Sequence, residues 1–229
     1  MHEKQEFFTL LGGAVKMRRS KYNPTSDAVW LAAFAPDDAK TILDVGIGTG
    51  GVALCVHAHN KNAKITGIDI DPEMLDICQQ NAELNNTQIE TVLQDIITWS
   101  TPRTFDLVIT NPPYFRGTPT TKSPAAHHNI NITQWIRRSI ARVRPHGYFC
   151  TIIDAARLGE CMSAIGKNCG SINIIPLFGA NQEIAERVLV RCRICDHGPT
   201  VLHRGLQMNN DAILRDGLTI NKILSKIDA

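Results

Sequence analysis

The stretch that decides the fold is Thr41-Ile-Leu-Asp-Val-Gly46-Ile-Gly48-Thr-Gly50-Gly51, in which an apolar run passes directly into glycines. The run has the length of one short buried strand. The glycines allow the chain to turn sharply and to approach a ligand closely. A helix is predicted from Gly50 to about Ala58. The stretch is therefore a strand, a glycine loop and a helix in succession.

The same alternation continues along the chain. Strands are predicted at 41–45, 64–69, 90–93, 105–110, 148–153, 171–175 and 187–194. Further helices are predicted at 72–85, 132–143 and 155–165. Alternating strands and helices form a doubly wound, mostly parallel sheet. No helix separates the last two strands, so we expect them to pair antiparallel. The predicted fold is an α/β sheet of seven strands with the last one antiparallel.

The first 24 residues have a different pattern. Apolar segments at 7–11 and 14–17 flank Gly12-Gly13, which predicts a hairpin with the glycines at positive φ. The residues Asn23-Pro-Thr-Ser-Asp27 then predict the end of the hairpin segment and the cap of a following helix, which Pro36 closes. We expect residues 1–24 to form a hairpin extension and residues 25–229 to form one domain.

Composition narrows the class of protein. Apolar residues make up 43% and charged residues 20% of the chain, and the net charge is +2. No apolar run approaches the roughly 18 residues of a membrane span. The 7 cysteines are an odd number and lie mostly in apolar stretches, which favours reduced thiols and a cytoplasmic protein. Cys192 and Cys195 lie within a predicted strand without a second pair at zinc spacing, so we expect no metal.

Two groups of basic residues could follow a phosphate backbone, although charge alone favours a solvated surface. Their members are Lys16, Arg18, Arg19 and Lys21 in the first group and Arg137, Arg138, Arg142 and Arg144 in the second.

A cofactor site is expected where the parallel strands end. Gly46, Gly48 and Gly50 allow the backbone to approach a ligand closely, and the next helix offers its free N–H groups. Asp69 closes the second strand, where a carboxylate can accept from ribose hydroxyls. Gly46-x-Gly48-x-x-Gly51 also fits the dinucleotide fingerprint, so NAD is a rival. Asp44, inside the binding turn, would repel a pyrophosphate but suits the cationic end of S-adenosylmethionine. Asp95, after the third strand, could accept from an adenine amine or could serve as a turn residue.

The tetrapeptide Asn111-Pro112-Pro113-Tyr114 follows the fourth strand directly. Its prolines stiffen the turn. The Asn111 side chain and the Pro112 carbonyl supply two hydrogen-bond acceptors, and Tyr114 supplies a flat ring. Two acceptors on a planar amine pull its nitrogen toward tetrahedral geometry and localise the lone pair. A stacked ring holds the base in line, and such stacking contributes roughly 1–3 kcal/mol. These groups therefore suit methylation of an adenine amine or a carboxamide nitrogen.

These motifs resemble class I S-adenosylmethionine-dependent methyltransferases, and more narrowly the bacterial family that methylates the adenine N6 next to the anticodon of a valine tRNA. The similarity includes Leu10-Leu-Gly-Gly, Asp27-Ala-Val-Trp, the glycine loop, Asn111-Pro-Pro-Tyr-Phe and Arg187-Val-Leu-Val-Arg. The resemblance implies cofactor contacts at Asp44, Gly46, Asp69, Asp95 and Asn111, and substrate contacts at Asn111 to Tyr114. It implies a tRNA partner. Lys21-Tyr22-Asn23-Pro24 departs from the Gly-Tyr-Arg type of many relatives, which leaves the RNA target open.

Alternatives stay open at this point. The same acceptors fit a glutamine carboxamide of a release factor, and adenine or guanine of rRNA or DNA. An NAD-dependent oxidoreductase would share the glycine pattern, but this sequence has no Tyr-x-x-x-Lys pair for hydride chemistry. A non-catalytic binding module is a further option. Tyr22 and Phe115 could line the base pocket, His127-His128 could contact substrate, and Trp30, Trp99 and Trp135 are expected to be packing residues.

Overall fold

The computed structural model describes residues 6–113 and 131–222. An antiparallel hairpin comes first, formed by β1 (Phe7–Leu10) and β2 (Val15–Arg18). A 3-10 turn at Leu11–Gly13 joins the two strands, instead of the two-residue turn expected at Gly12-Gly13. Gly12 and Gly13 have φ angles of 59° and 105°, which confirms the predicted positive φ.

The second edge of the hairpin is covered by a helix. Asn81 and Asn85 of α3 (Pro72–Leu84, with Asn85 as its C-cap) bond to the backbone of β2 at Arg18 and Lys16. Two residues of a strand rise about 6.6 Å and four residues of a helix about 6 Å, so the spacings match. The two asparagines thus replace a neighbouring strand.

The remaining elements alternate as predicted. In chain order they are α1 (Ser26–Phe34), β3 (Thr41–Val45), α2 (Gly51–His59), β4 (Lys64–Asp69), α3, β5 (Ile89–Leu93), β6 (Phe105–Thr110), α4 (Ile132–Ile140), β7 (Val143–Asp154), α5 (Leu158–Ile165), β8 (Cys169–Phe178), β9 (Arg187–Ile194), β10 (Val201–Leu202), β11 (Leu206–Gln207) and α6 (Asp211–Leu214).

The main sheet has the order β10-β8-β9-β7-β6-β3-β4-β5, and β11 pairs with β8. Strands β3 to β7 pair in parallel, whereas β9 is antiparallel to both β7 and β8. The doubly wound fold and the antiparallel last long strand are confirmed. The sheet has nine strands instead of seven, because two strands of two residues each extend it beside β8.

Several element boundaries differ from the sequence prediction, among them those of β8, which spans Cys169–Phe178 instead of 171–175. The helix expected at 132–143 ends at Ile140, and Val143 already begins β7. The helix expected at 155–165 begins with a 3-10 turn at Ala155–Arg157 before α5.

The core consists of two apolar layers. One layer packs the hairpin, α1 and α2 against one face of the sheet. The other packs α4 and α5 against the opposite face. Asp27, buried at the start of α1, forms an ion pair with Arg187 of β9, with 3.1 Å between Oδ2 and Nε. This contact joins segments 160 residues apart in the chain. In the described ranges, no helix is long and apolar enough to cross a membrane.

Candidate active site

A cavity of about 200 Å³ opens at the carboxyl ends of β3, β4, β5 and β6. This is the edge of the sheet at which the sequence predicts a ligand. The walls are mostly apolar, with two carboxylates and three amide or hydroxyl side chains among them. The lining residues are Tyr22, Val45, Gly46, Gly48, Ile68, Asp69, Ile70, Asp71, Met74, Gln94, Ile96, Asn111, Pro113 and Trp135.

The glycine loop forms the floor of this cavity. The backbone N–H groups of Gly46 and Ile47 donate to the carbonyl of Ile68 at 2.9 and 3.0 Å, which fixes the loop to β4. Gly46, Gly48 and Gly50 have φ angles of 72°, 54° and 88°. A side chain at Gly46 would come within 3.1 Å of the Trp135 ring. Glycine is required there for both reasons.

Gly50 has a different role from the one expected. It does not line the cavity but precedes α2 as its N-cap. A Cβ atom at Gly50 would come within 2.9 Å of the Cys78 sulfur. Its absent side chain therefore allows close packing of the loop on α3.

Asp69 joins the end of β4 to the glycine loop. Its Oδ2 accepts from the Gly48 N–H at 2.8 Å, and its Oδ1 accepts from the Asp71 N–H at 3.1 Å. Asp71 in turn caps α3 by accepting from the Glu73 N–H at 2.9 Å, as predicted. Two carboxylates thus line one side of the cavity, at the amino end of α3. The exposed side chain of Ile70 lies between them in sequence and adds apolar surface.

Asp44 lies in β3, beneath the loop, and not in the turn where the sequence pattern predicts it. It is buried and does not line the cavity. It forms a hydrogen bond with the Ala53 N–H in the first turn of α2, while Oδ2 has no hydrogen-bond partner among the described residues. Burial raises the pKa of Asp44 to about 8, and the charge of Asp69 adds to the rise. The side chain is therefore mostly protonated at neutral pH, and it does not carry the charge that was expected to repel a pyrophosphate.

Asp95 is placed in a turn and not on the cavity wall. Its Oδ1 accepts from the Ile97 N–H at 2.8 Å, and its carbonyl accepts from the Trp99 N–H at 2.8 Å. Its neighbours Gln94 and Ile96 line the cavity in its place. Of the two roles considered for Asp95, the structure shows that of a turn residue.

The described part of the tetrapeptide, residues 111–113, lies at this cavity. Asn111 and Pro113 line it, and Pro112 between them is buried. Tyr114, Phe115, His127 and His128 lie outside the described residues. The structure therefore brings Asn111 and Pro113 together with Gly46, Gly48 and Asp69.

Trp135 lines the cavity, although the sequence predicts only a packing role for it. Its indole Nε1–H donates to Thr110 Oγ1 at 3.0 Å, and that hydroxyl donates to the Val45 carbonyl at 2.8 Å. The Thr151 hydroxyl donates to the Thr110 carbonyl at 2.9 Å. Thr110 is therefore held from three sides, directly before Asn111. Tyr22 also lines the cavity, as expected.

The cysteine pair near the end of β9 does not form a common site. Cys192 is buried and forms a hydrogen bond with Cys169, whereas Cys195 is exposed. Across 6–113 and 131–222, no group of three His, Cys, Asp or Glu side chains could hold a metal ion.

Comparison with known proteins shows the relationship of this chain. An adenine(37)-N6-methyltransferase of tRNA1(Val) from a Flavobacteriaceae bacterium is 33% identical over 61% of this chain and 62% of the relative. A release factor glutamine methyltransferase from Koribacter versatilis is 35% identical over 48% of this chain and 40% of the relative. The matched region spans 58–66% of the length of three such adenine methyltransferases.

A solved structure supports the fold independently. The crystal structure of a predicted O-methyltransferase from Agrobacterium tumefaciens superposes with a TM-score of 0.68 at 22% identity, covering 84% of this chain and 97% of that one. The family model of the methyltransferase small domain matches residues 24–160, more than half of the chain, including the glycine loop and the tetrapeptide. The chain belongs to the methyltransferase small domain family.

Proposed function

We propose that this protein transfers a methyl group from S-adenosylmethionine to the exocyclic amine of an adenine in RNA, and that this RNA is a tRNA. One observation carries the proposal: Asn111 and Pro113 line the same cavity as Gly46, Gly48 and Asp69. An amine-binding turn thus opens onto a loop of the kind that binds a cofactor closely.

The cavity residues fit S-adenosylmethionine. Asp69 and Asp71 offer carboxylate oxygens to ribose hydroxyls, and Ile70, Met74 and Ile96 offer apolar contact to a purine ring. The Gln94 amide can bond to ring nitrogens or to an amine. Asp44 lies beneath the loop and outside the cavity lining, so it is not among these contacts. When bound, this cofactor supplies a methyl group on a positively charged sulfur.

The chain's own residues would prepare the amine. The Asn111 side chain and the backbone carbonyl of Pro112 accept hydrogen bonds from its two N–H groups, which concentrates the lone pair on nitrogen. Thr110 holds this turn in position through its bonds to Val45 and Trp135. Fixed orientation of two reactants can lower a barrier by roughly 7–11 kcal/mol. A base in a folded RNA must first leave its stack, and Tyr114 is proposed to receive it.

The names of the relatives support an RNA substrate. Several relatives between 29% and 40% identical are named tRNA1(Val) adenine(37)-N6-methyltransferases. We include a tRNA partner, a cytoplasmic location and the absence of a metal cofactor in the proposal. The division into a hairpin extension at 1–24 and a catalytic domain at 25–229 is part of it as well.

The test is incubation of the protein with tritiated S-adenosylmethionine and total tRNA from cells that lack the modification. Nuclease digestion and chromatography should then identify labelled N6-methyladenosine. Label in guanosine, label only in protein, or no label would contradict the proposal. A thermal-shift comparison should give stabilisation by S-adenosylhomocysteine and none by NAD.

Methylation of a glutamine side chain is the second candidate. It is supported by the release factor methyltransferase relative and by the fact that a carboxamide has two N–H groups like an adenine amine. An additional reaction that contains a release factor in place of tRNA separates the two candidates. Incorporation of label into the release factor alone would select glutamine.

A further inference from the structure

The hairpin and the turn after it carry a concentrated positive charge. Between Glu6 and Tyr22 the sequence has four basic residues against the single acidic residue Glu6. Lys16, Arg19 and Lys21 are exposed, and Arg18 is half-buried. We call these four side chains the hairpin strip. In a protein with a net charge of only +2, this is a local excess that the whole chain does not share.

The hairpin strip leads to the cavity. Tyr22, the residue after Lys21, lines the cavity itself. Helix α3 gives the distance between the strip and the cavity. Its residue Met74 lines the cavity. Its residues Asn81 and Asn85 bond to the backbone of Arg18 and Lys16, respectively. At 1.5 Å per helical residue, these two anchors lie about 10 and about 16 Å from Met74 along the helix. The basic residues therefore extend from the rim of the cavity over a distance of a few nucleotides.

Aromatic rings contact three of the four cations of the hairpin strip. The Arg18 guanidinium lies 5.5 Å from the centre of the Phe7 ring, and that of Arg19 lies 5.7 Å from the Phe8 ring. The Lys21 ammonium lies 5.4 Å from the Tyr22 ring. Stacked cations lose less side-chain freedom on binding an anion, because part of that freedom is already lost.

The second basic group of the sequence lies elsewhere. Arg144 pairs with Asp106, which also accepts from the backbone of Lys40 and Thr41 at the amino end of β3. Arg142 donates to the Thr101 carbonyl at 2.6 Å. The contacts of Arg142 and Arg144 are at the amino edge of the sheet, opposite to the cavity, and they engage these two of the four arginines within the protein. The two basic groups, which the sequence alone does not distinguish as phosphate-binding surfaces, thus differ in their position relative to the cavity and in their contacts.

We propose that the hairpin strip binds the phosphates of the RNA segment that flanks the methylated base, and so delivers that base to the cavity. This inference rests on the proposed function for the identity of the partner. Phosphate contacts of this kind position a nucleic acid without reading its sequence. The strip therefore contributes affinity and register, and the cavity contributes the choice of base.

The test compares two charge-matched triple variants. The first is Lys16→Gln with Arg19→Gln and Lys21→Gln. The control is Lys61→Gln with Lys64→Gln and Lys167→Gln, three exposed lysines at the amino edge of the sheet. The probe is a fluorescein-labelled RNA stem-loop with an adenine in its loop, and its Kd is measured by anisotropy over a series of NaCl concentrations, from roughly 50 to 200 mM.

The hairpin variant should bind the RNA about tenfold or more weakly at the lowest salt concentration. Its slope of log Kd against log salt should fall by about 2, since each single-stranded phosphate contact contributes about 0.7. The control variant should keep the Kd and slope of the wild type. Affinity for S-adenosylhomocysteine, measured by calorimetry, should stay essentially unchanged in the hairpin variant and so shows that the cavity is intact.

Equal loss of RNA affinity in both variants would overturn the inference, as would an unchanged slope in the hairpin variant. No RNA binding by the wild type, or binding of anionic phospholipid vesicles alone, would also overturn it. The proposed function fails in a different manner: the strip would still govern RNA binding while no N6-methyladenosine forms. If the wild type methylates tRNA and the hairpin variant binds RNA with unchanged affinity, only the proposed role of the hairpin strip is contradicted.

Discussion

The Asn81 side chain accepts a hydrogen bond from the Arg18 backbone N–H at 2.8 Å and donates another to the Thr49 carbonyl at 2.9 Å. One fully buried amide thus connects the hairpin to the glycine loop across helix α3. The hairpin and the floor of the cavity are therefore held in one fixed relation. Any movement of the hairpin is expected to reach the loop through this residue.

Replacement of Asn81 by alanine should weaken both stability and cofactor binding. It leaves a backbone N–H and a carbonyl without partners, and each unsatisfied buried group costs about 1–3 kcal/mol. We expect a lower free energy of unfolding in urea and an approximately tenfold higher Kd for S-adenosylhomocysteine. Asn85→Ala is the matched control, because Asn85 bonds to Lys16 but not to the loop. Equal changes of cofactor affinity in both variants would refute the connection.

Trp135→Phe should loosen the turn before Asn111 without removing the aromatic plane. The substitution deletes the N–H that bonds to Thr110 Oγ1, while Thr110 keeps its bond to Val45. The loss of one such bond is worth about 1 kcal/mol, so S-adenosylhomocysteine should bind about fivefold more weakly in calorimetry. Trp99→Phe, away from the cavity, should leave the affinity unchanged. The assignment is wrong if Trp99→Phe has the larger effect.

The fold could be predicted from the sequence because it depends on local signals. The apolar run before the glycines, the cap at Asp71 and the polar breaks between elements all act within a few residues. The two strands that were missed, β10 and β11, have two residues each and no periodicity to detect. The early end of α4 follows from β7 pairing with Phe105 already at Val143, a contact between distant segments.

The site was only partly predictable. Gly46, Gly48, Asp69 and Asn111 follow or end strands directly, so their place at one edge of the sheet follows from topology. Trp135 reaches the cavity from helix α4, which begins only at Ile132, and sequence spacing cannot indicate that approach. Asp44 and Asp95 lie outside the cavity lining, which the sequence does not indicate, because a pattern does not show the burial or the hydrogen bonds of a carboxylate.

The buried carboxyl of Asp44 should make stability depend on pH. Its pKa is about 8 in the folded protein and 3.8 as the ordinary value, so between these values the unfolded chain releases a proton that the folded chain keeps. Folding therefore loses up to about 1.4 kcal/mol per pH unit from this group as pH rises through that window. A carboxamide at this position would not titrate, so Asp44→Asn should gain stability relative to the wild type as pH rises from about 5 to about 8.

Urea unfolding of both proteins at several pH values measures this difference. Groups that do not interact with Asp44 titrate alike in the two proteins, so the difference in free energy of unfolding reports Asp44 and its immediate neighbours. A difference that stays constant with pH would mean that Asp44 is ionised in the folded protein, with a partner that offsets its burial.

Asn111→Ala should separate cofactor binding from methyl transfer. The glycine loop, Asp69 and Trp135 remain in place, so S-adenosylhomocysteine should bind within a few-fold of its wild-type affinity. The amine loses one of two acceptors that act most strongly as positive charge develops on nitrogen, and loss of one such group typically costs about 10²–10³ in rate. Single-turnover transfer of tritiated methyl to tRNA should fall by that factor, while Asn62→Ala in an exposed turn at the opposite edge should transfer at the normal rate. Full transfer by Asn111→Ala would remove this side chain from the reaction, because the amine would then be activated without the acceptor assigned to it.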